Sequence, residues 1–435
     1  MFLNKIKNLN FRSGDNSVYY LLVLFCILLP FQFALNPKAG VDLAIVRVFI
    51  PVLFLIWLFT LLKNKASIPK KNTLTFLFAA FLFIATVSLV FSSNLDWSLR
   101  KLAFLFSILP IYLIASSVLI TPDRRRSIIT ALISSGAILA LLAIFQFTAQ
   151  FIFGIDAVYG FLANSISPFF LGNSFSKAVL AYPSWLVNAN GITYMRAIAI
   201  FPDPHMLSYY FGLLIPWSIV LWSDSKKHSH WFFFTTLLLI IGDICTFTRG
   251  GYIALITGSL AVLPLVSRAT MQKIMLAIIT LILFFTIAPH SPVASRFSSS
   301  FDVTEGSNIG RLSNWQQAIL IIKNHPLGVG IGMYSLAVDP KAAYRQPIYA
   351  HNLYLDIAAE LGLLAMLILV AILLFTFAYF WSAARTNPFF IAGVSSVTIF
   401  AIHSLVETPL YSVHILSLIC LIIALSVGIK KYEKK

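Results

Sequence analysis

A chain of 435 residues, 59% of them hydrophobic and only 11% charged, cannot be solvated by water as a folded unit; lipid must be its solvent, and a soluble globular class is excluded. The formal net charge of +16 does not bring in a nucleic-acid partner, because the bases are scattered over short connections between apolar runs, where membrane topology and anionic lipid headgroups account for them.

Taken in chain order, apolar runs of about 20 residues bounded by charge predict one all-α polytopic membrane domain, residues 1–435, with about twelve spans. The runs fall near 18–35, 41–62, 73–91, 99–119, 127–153, 205–223, 231–248, 250–266, 274–289, 352–380, 388–406 and 409–429. The first follows a basic start, as a signal peptide does, but it is long and lacks a small-x-small cleavage site, so it reads as a retained signal anchor. Alternate connections collect Lys5, Lys7 and Arg12; Lys63, Lys65, Lys70 and Lys71; Arg124, Arg125 and Arg126; Lys226 and Lys227; Arg268 and Lys273; Arg385; and Lys430, Lys431, Lys434 and Lys435. Nineteen of the 31 basic residues then share one side, which the positive-inside tendency makes cytoplasmic, with both termini there. Cys26, Cys245 and Cys420 lie within spans, at no spacing suited to a metal site or disulfide framework, and are expected to pack as small apolar groups.

The remaining bases oppose that tendency, among them Arg100, Lys101, Arg196, Arg249 and Arg311. Arg249 stands in Thr246-Phe247-Thr248-Arg249-Gly250-Gly251, the entire connection between two runs. An arginine at membrane depth costs roughly 2.5–3.5 kcal/mol on insertion scales, so it either snorkels, pairs with Asp243, or meets an anion; Gly250 and Gly251 would permit a tight turn.

Two segments on the outer side, 154–203 and 290–350, hold about 50 and about 60 residues, against roughly 2–8 for an ordinary helix connection. Both mix aromatics, Pro and Gly, and are expected to cap the membrane domain and to bind or catalyse. The first ends in Asp203-Pro204-His205, where Asp203 has the form of an N-cap; the helix start and nearby Arg196 would favour an anion, and His205 is a ligand, a base or a packed histidine. The second presents Arg311 on a short helical pattern. Its Gly328, Gly330 and Gly332 read as a tight backbone turn, since no strand precedes them and no Gly-Lys-Ser follows. His351 and Asn352 open the next run, and Asn352, Asp356 and Glu360 at steps of four share a face that must line protein or water.

These motifs occur in a telling order: Arg196 ahead of Phe201-Pro202-Asp203-Pro204, Thr248-Arg249-Gly250-Gly251, Gly310-Arg311 to Trp315, His325-Pro326-Leu327-Gly328-Val329-Gly330, and His351-Asn352 with Glu360 and Gly362. Over about residues 190–370 the chain resembles the O-antigen ligase and polymerase superfamily. The resemblance implies a GT-C-like glycosyltransferase in the bacterial plasma (inner) membrane. Such an enzyme takes a glycan from a polyprenyl-diphosphate donor and passes it, with inversion, to a hydroxyl of a glycan or lipid acceptor at the outer face, with no metal, nucleotide or other cofactor. It also implies that Arg196, Arg249 and Arg311 hold the diphosphate and that Arg249 and His351 are catalytic with His351 as base. His205 and Asn352 are accessory candidates beside them, and Arg100 and Lys101, at the outer start of a span, either reach the diphosphate as well or anchor at lipid headgroups. The residue chemistry agrees, because a departing diphosphate gains charge that arginine forks bind bidentately. Neighbouring cations are expected to bias His351 toward its neutral, proton-accepting form.

The chain departs from the family pattern at His205, where many members have Asn, and at Leu363-Leu364-Ala365-Met366, where some ligases have paired threonines. Ligase and repeat-unit polymerase both stay open. A transporter or lipid-glycan flippase is the reading from another class, and it calls for related halves and an unwound midplane helix. A non-enzymatic scaffold has no need of arginine at a membrane turn.

Overall fold

The computed structural model describes residues 13–38, 41–63, 72–181, 184–224, 228–288, 290–302, 305–344 and 347–427. Lys5, Lys7, Arg12, Lys65, Lys70, Lys71, Lys226, Lys227, Arg345 and the tail lysines 430, 431, 434 and 435 lie outside those residues.

The first half is a set of apolar helices punctuated by caps and prolines. Helix α1 (Ser13–Leu28) leads to an antiparallel hairpin, β1 (Ala34–Lys38) with β2 (Val41–Ala44), and then α2 (Val46–Lys63). The run expected from 41 therefore begins as strand: Pro37 cannot extend a helix, and Val41–Ala44 pair back on Ala34–Lys38. Asn72 caps α3 (Thr73–Val87) by accepting from the Thr75 N–H at 2.7 Å, and Asn94 caps α4 (Leu95–Ile108) through Trp97. Pro110 breaks the next expected run and starts α5 (Pro110–Val118), while Thr121 and Pro122 start the long α6 (Pro122–Phe153).

The segment 154–203 is structured as expected, but not wholly helical. It carries α7 (Ile155–Phe161), a π-helical turn, α8 (Ser167–Leu171), α9 (Asn173–Ala181) and a second hairpin, β3 (Leu186–Ala189) with β4 (Ile192–Met195). Its small core of Trp185, Met195 and Ile198 packs on Ala149 of α6. After it come α10 (Pro204–Asp224), α11 (Ser229–Ile244), α12 (Arg249–Ala261) and α13 (Arg268–Ile287). Segment 290–350 folds into α14 (Pro292–Ser298), α15 (Gly306–Asn324) and α16 (Tyr334–Val338). The run expected over 352–380 is two helices, α17 (Leu353–Leu361) and α18 (Leu363–Ala384), parted by Gly362 at φ 87°, and α19 (Ile391–His403) and α20 (Val413–Leu425) complete the bundle.

Among the described residues the fold is thus that of a helical membrane protein with two small hairpins. Among the described residues, six helical stretches are long and apolar enough to cross a membrane: Val46–Lys63, Thr73–Phe91, Leu95–Val118 (α4 and α5 taken together), Pro122–Phe153, Pro204–Asp224 and Leu363–Ala384. Most of the other expected runs hold shorter apolar helices. Of the six, α10 is the most buried, packed among α6, α11, α12, α19 and α20.

One end of the bundle gathers charges expected on one side. Arg126 pairs with Asp224 at the end of α10; Arg125 donates to the Val427 carbonyl at 3.1 Å, and Arg124 to Asn16 Oδ1 at 3.0 Å. Both described chain ends therefore meet the start of α6. His205 is at the opposite end of α10.

Candidate active site

The turn between α11 and α12 is built differently from the expected glycine turn. Cys245–Thr248 make it, with Phe247 in the left-handed region at φ 51°, and Arg249 is already the first residue of α12. Gly250 and Gly251 are helical, and their lack of a side chain permits close packing: a Cβ on Gly250 would meet Val406 at 2.7 Å, and one on Gly251 would meet Ser208 Oγ at 2.1 Å. Arg196 braces this turn. Its guanidinium donates to the Thr246 carbonyl at 2.7 Å, Ser184 carbonyl at 3.1 Å and Thr248 Oγ1 at 3.0 Å. The chain that leaves β4 through Arg196 is in turn held by two glutamines one helical turn apart on α6. Gln150 bonds both backbone groups of Met195, and Gln146 bonds the Arg196 carbonyl and the Ile198 and Ala199 N–H groups.

Arg249 is buried and points into segment 290–350, where it does not meet Asp243. It donates to the Ser299 carbonyl at 2.7 Å, Glu305 at 3.1 Å, Ser307 Oγ at 2.7 Å and Asn308 Oδ1 at 3.2 Å. Glu305 also accepts from Arg296 at 3.3 Å and caps α15 through the Ser307 and Asn308 N–H groups. Arg311, one turn along α15, donates to the same Ser307 Oγ at 3.2 Å. Two arginines thus share one carboxylate with a third beside them on Ser307, and the buried Nε groups of Arg296 and Arg311 have no hydrogen-bond partner among the described residues. Burial alone would raise the Glu305 carboxyl, but Arg249 and then Arg296 hold it below the usual range. Arg296 was not singled out from sequence; its only signal was being one more base on the outer side.

His351 sits at φ 51° just ahead of α17, a left-handed conformation that is costly for a residue with a Cβ, and its Nδ1 lies 3.0 Å from Glu407 Oε1. The second oxygen of Glu407 is 3.6 Å from His205 Nδ1. Glu407 comes from the connection between α19 and α20. It is nearly buried, and although burial would raise its carboxyl, His351, His205 and Arg311 hold it below the usual range. The effect on His351 reverses the expectation of a neutral bias. Glu407 raises the imidazole above the ordinary histidine value, and burial and Arg311 only partly oppose it. Distance explains the reversal, since a hydrogen-bonded carboxylate outweighs cations farther off.

Asn352 is committed as the cap of α17, its Oδ1 accepting from the Tyr354 and Leu355 N–H groups at 3.1 Å. The polar face of α17 does line protein: Asp356 accepts from the Ala350 N–H at 2.8 Å and from the Thr408 hydroxyl, and Glu360 accepts from Tyr411 at 2.9 Å. Gly328, Gly330 and Gly332 are all left-handed and pressed against Glu360, Ser92 and Lys101. The Val329 and Gly330 N–H groups are spent on the Ala359 and Glu360 carbonyls, so this is a docking turn. Arg100 pairs with Asp96 at 3.1 Å, and Lys101 lies 3.7 Å over the Tyr411 ring; among the described residues these partners lie away from Arg249, Arg296 and Arg311. No group of three or more His, Cys, Asp or Glu suited to a metal occurs among the described residues.

Residues 234–370 match a protein-family model described as O-antigen ligase. The match holds Arg249, Arg296, Arg311 and His351, and leaves Arg196, His205 and Glu407 outside it. No curated protein matches the chain.

Proposed function

We propose that this membrane chain, whose residues 234–370 match an O-antigen ligase family model, is a glycosyltransferase of the ligase and polymerase type that transfers a glycan from a polyprenyl diphosphate to an acceptor hydroxyl at the outer face of the bacterial inner membrane. One observation carries this reading: Arg249 and Arg296 converge on the Glu305 carboxylate, Arg311 shares the Ser307 hydroxyl with Arg249, and the buried Nε groups of Arg296 and Arg311 have no hydrogen-bond partner among the described residues. That is the electrostatics a departing diphosphate needs, because charge that develops in the transition state is stabilised by cations already fixed in place. Arg196 acts one step back, through the turn that aims Arg249.

In the proposed step, Glu407 keeps the proton of His351 on Nδ1, which leaves Nε2 with its lone pair toward the acceptor hydroxyl. The hydroxyl oxygen attacks the anomeric carbon from the face opposite the diphosphate, the bond from that carbon to the diphosphate oxygen breaks, and its electron pair leaves with the diphosphate. The hydroxyl proton passes to Nε2. Inversion follows from a single displacement, and both ends of the chain are taken to be cytoplasmic.

The test is transfer by the purified full chain from a polyprenyl-diphosphate-linked glycan, comparing Arg249→Ala and His351→Ala with the unmodified protein. A loss of about a hundredfold or more in each folded variant is expected. Full-rate transfer by either sinks the reading. Glycan accumulated by a deletion strain separates the two outcomes of one chemistry: unattached long chains for a ligase, single repeats for a polymerase.

A further inference from the structure

A second polar group, built around Lys101, takes no part in the chemistry above. Its ammonium lies 3.7 Å over the Tyr411 ring and 5.7 Å from the centre of Tyr349, whose hydroxyl it meets at 3.3 Å. Tyr349 and Tyr411 stack, and Tyr411 donates to Glu360 at 2.9 Å. At the rim, Tyr344 packs edge-on to Trp97 and lies beneath Arg100 at 5.3 Å. The charges facing Lys101 are Glu360, Asp356 and Arg47; none of Arg249, Arg296 and Arg311 is among them.

Two features separate this cluster from a belt of headgroup anchors. Lys101 is turned inward between two rings, over the carboxylate-bearing face of α17, whereas an anchoring lysine reaches outward. The cluster also adjoins the base. Tyr349 precedes His351 by two residues, about 7 Å of extended chain. The chain is pinned on both sides of Tyr349, by the Ile348 N–H on Ser335 Oγ at 2.9 Å and the Ala350 N–H on Asp356 at 2.8 Å.

We infer that Lys101, Tyr344, Tyr349 and Tyr411 form a saccharide subsite that holds the sugar ring presenting the accepting hydroxyl to His351. All four are half-buried, and partly exposed aromatic rings beside a few fixed polar groups suit the C–H faces and hydroxyls of a pyranose. An inverting displacement also needs the acceptor on the side away from the leaving diphosphate, and the arginine group is absent from this pole. The inference rests on the transferase reading only for which sugar is held; that a saccharide binds here stands apart from it.

The experiment is saturation-transfer NMR on the full chain in lipid nanodiscs, with oligosaccharides released by mild acid from the host strain's own surface glycan as probe. Saturation of sugar ring protons is expected in the unmodified protein, retained in Arg249→Ala and Tyr344→Trp, and weakened about fivefold or more in Tyr344→Ala. In transfer assays, Lys101→Met is expected to raise KM for the acceptor by a similar factor with KM for the donor unchanged. No saturation in the unmodified protein, a signal that Tyr344→Ala leaves undiminished, or a Lys101→Met effect on the donor KM alone overturns the subsite. Full transfer by Arg249→Ala with saturation intact sinks the transferase reading instead, so the two failures are distinguishable.

Discussion

Glu407 changes how His351 should behave with pH. A histidine accepts a proton only when neutral, and Glu407 raises its imidazole, so the inactive protonated form persists to higher pH than for an ordinary histidine. The transfer rate is therefore expected to rise with pH through a value above the usual histidine one. In Glu407→Gln that limb should move to lower pH while the plateau rate falls about tenfold or more, because the ring loses its orienting partner. A pH–rate profile with an unmoved limb would remove Glu407 from the mechanism. Arg249→Lys tests charge against geometry in the same assay. The fork of Arg249 divides its hydrogen bonds between the Ser299 and Glu305–Asn308 groups, which one ammonium cannot reproduce, so Lys should recover less than about a tenth of the rate.

At the scale of elements, the site depends on backbones that approach too closely for side chains. Gly362 parts α17 from α18 at φ 87°, and a Cβ there would sit 2.7 Å from the Leu327 carbonyl carbon. Gly362→Ala should cost at least about 2 kcal/mol, read as a lower unfolding temperature in detergent, since neither the conformation nor the clash can relax through a side chain. Gly310, inside α15 beside Arg311, is the contrast: nothing lies within 4 Å of its missing Cβ. Gly310→Ala should be neutral or stabilise by about 0.5–1 kcal/mol, and transfer should survive. Equal destabilisation of the two would show that the α17–α18 break is not held by this contact.

For the molecule as a whole, the proposal needs the arginine group outside and the Arg126–Asp224 end inside. The three native cysteines are buried, so single introduced cysteines can report sidedness against a low background. Lys341→Cys, on exposed chain of segment 290–350, should react with an impermeant maleimide in intact cells, and Asp123→Cys, exposed at the start of α6, only after permeabilisation. The reverse pattern would invert the topology and end the outer-face mechanism. What the sequence by itself determined is what apolar run length, capping chemistry and local spacing encode. That includes a helical membrane protein, the Asp203 and Asn352 helix starts, the polar face of α17, and the candidacy of Arg249, Arg311 and His351. Only the tertiary structure decided that Arg249 opens a helix, that Arg196 braces its turn, that Lys101 belongs to another pole, and that Arg296 and Glu407 join the group. The physical reason is range: caps and periodicity act within a few residues, whereas His351 and Glu407, 56 positions apart, become partners only when α17 docks beside the α19–α20 connection.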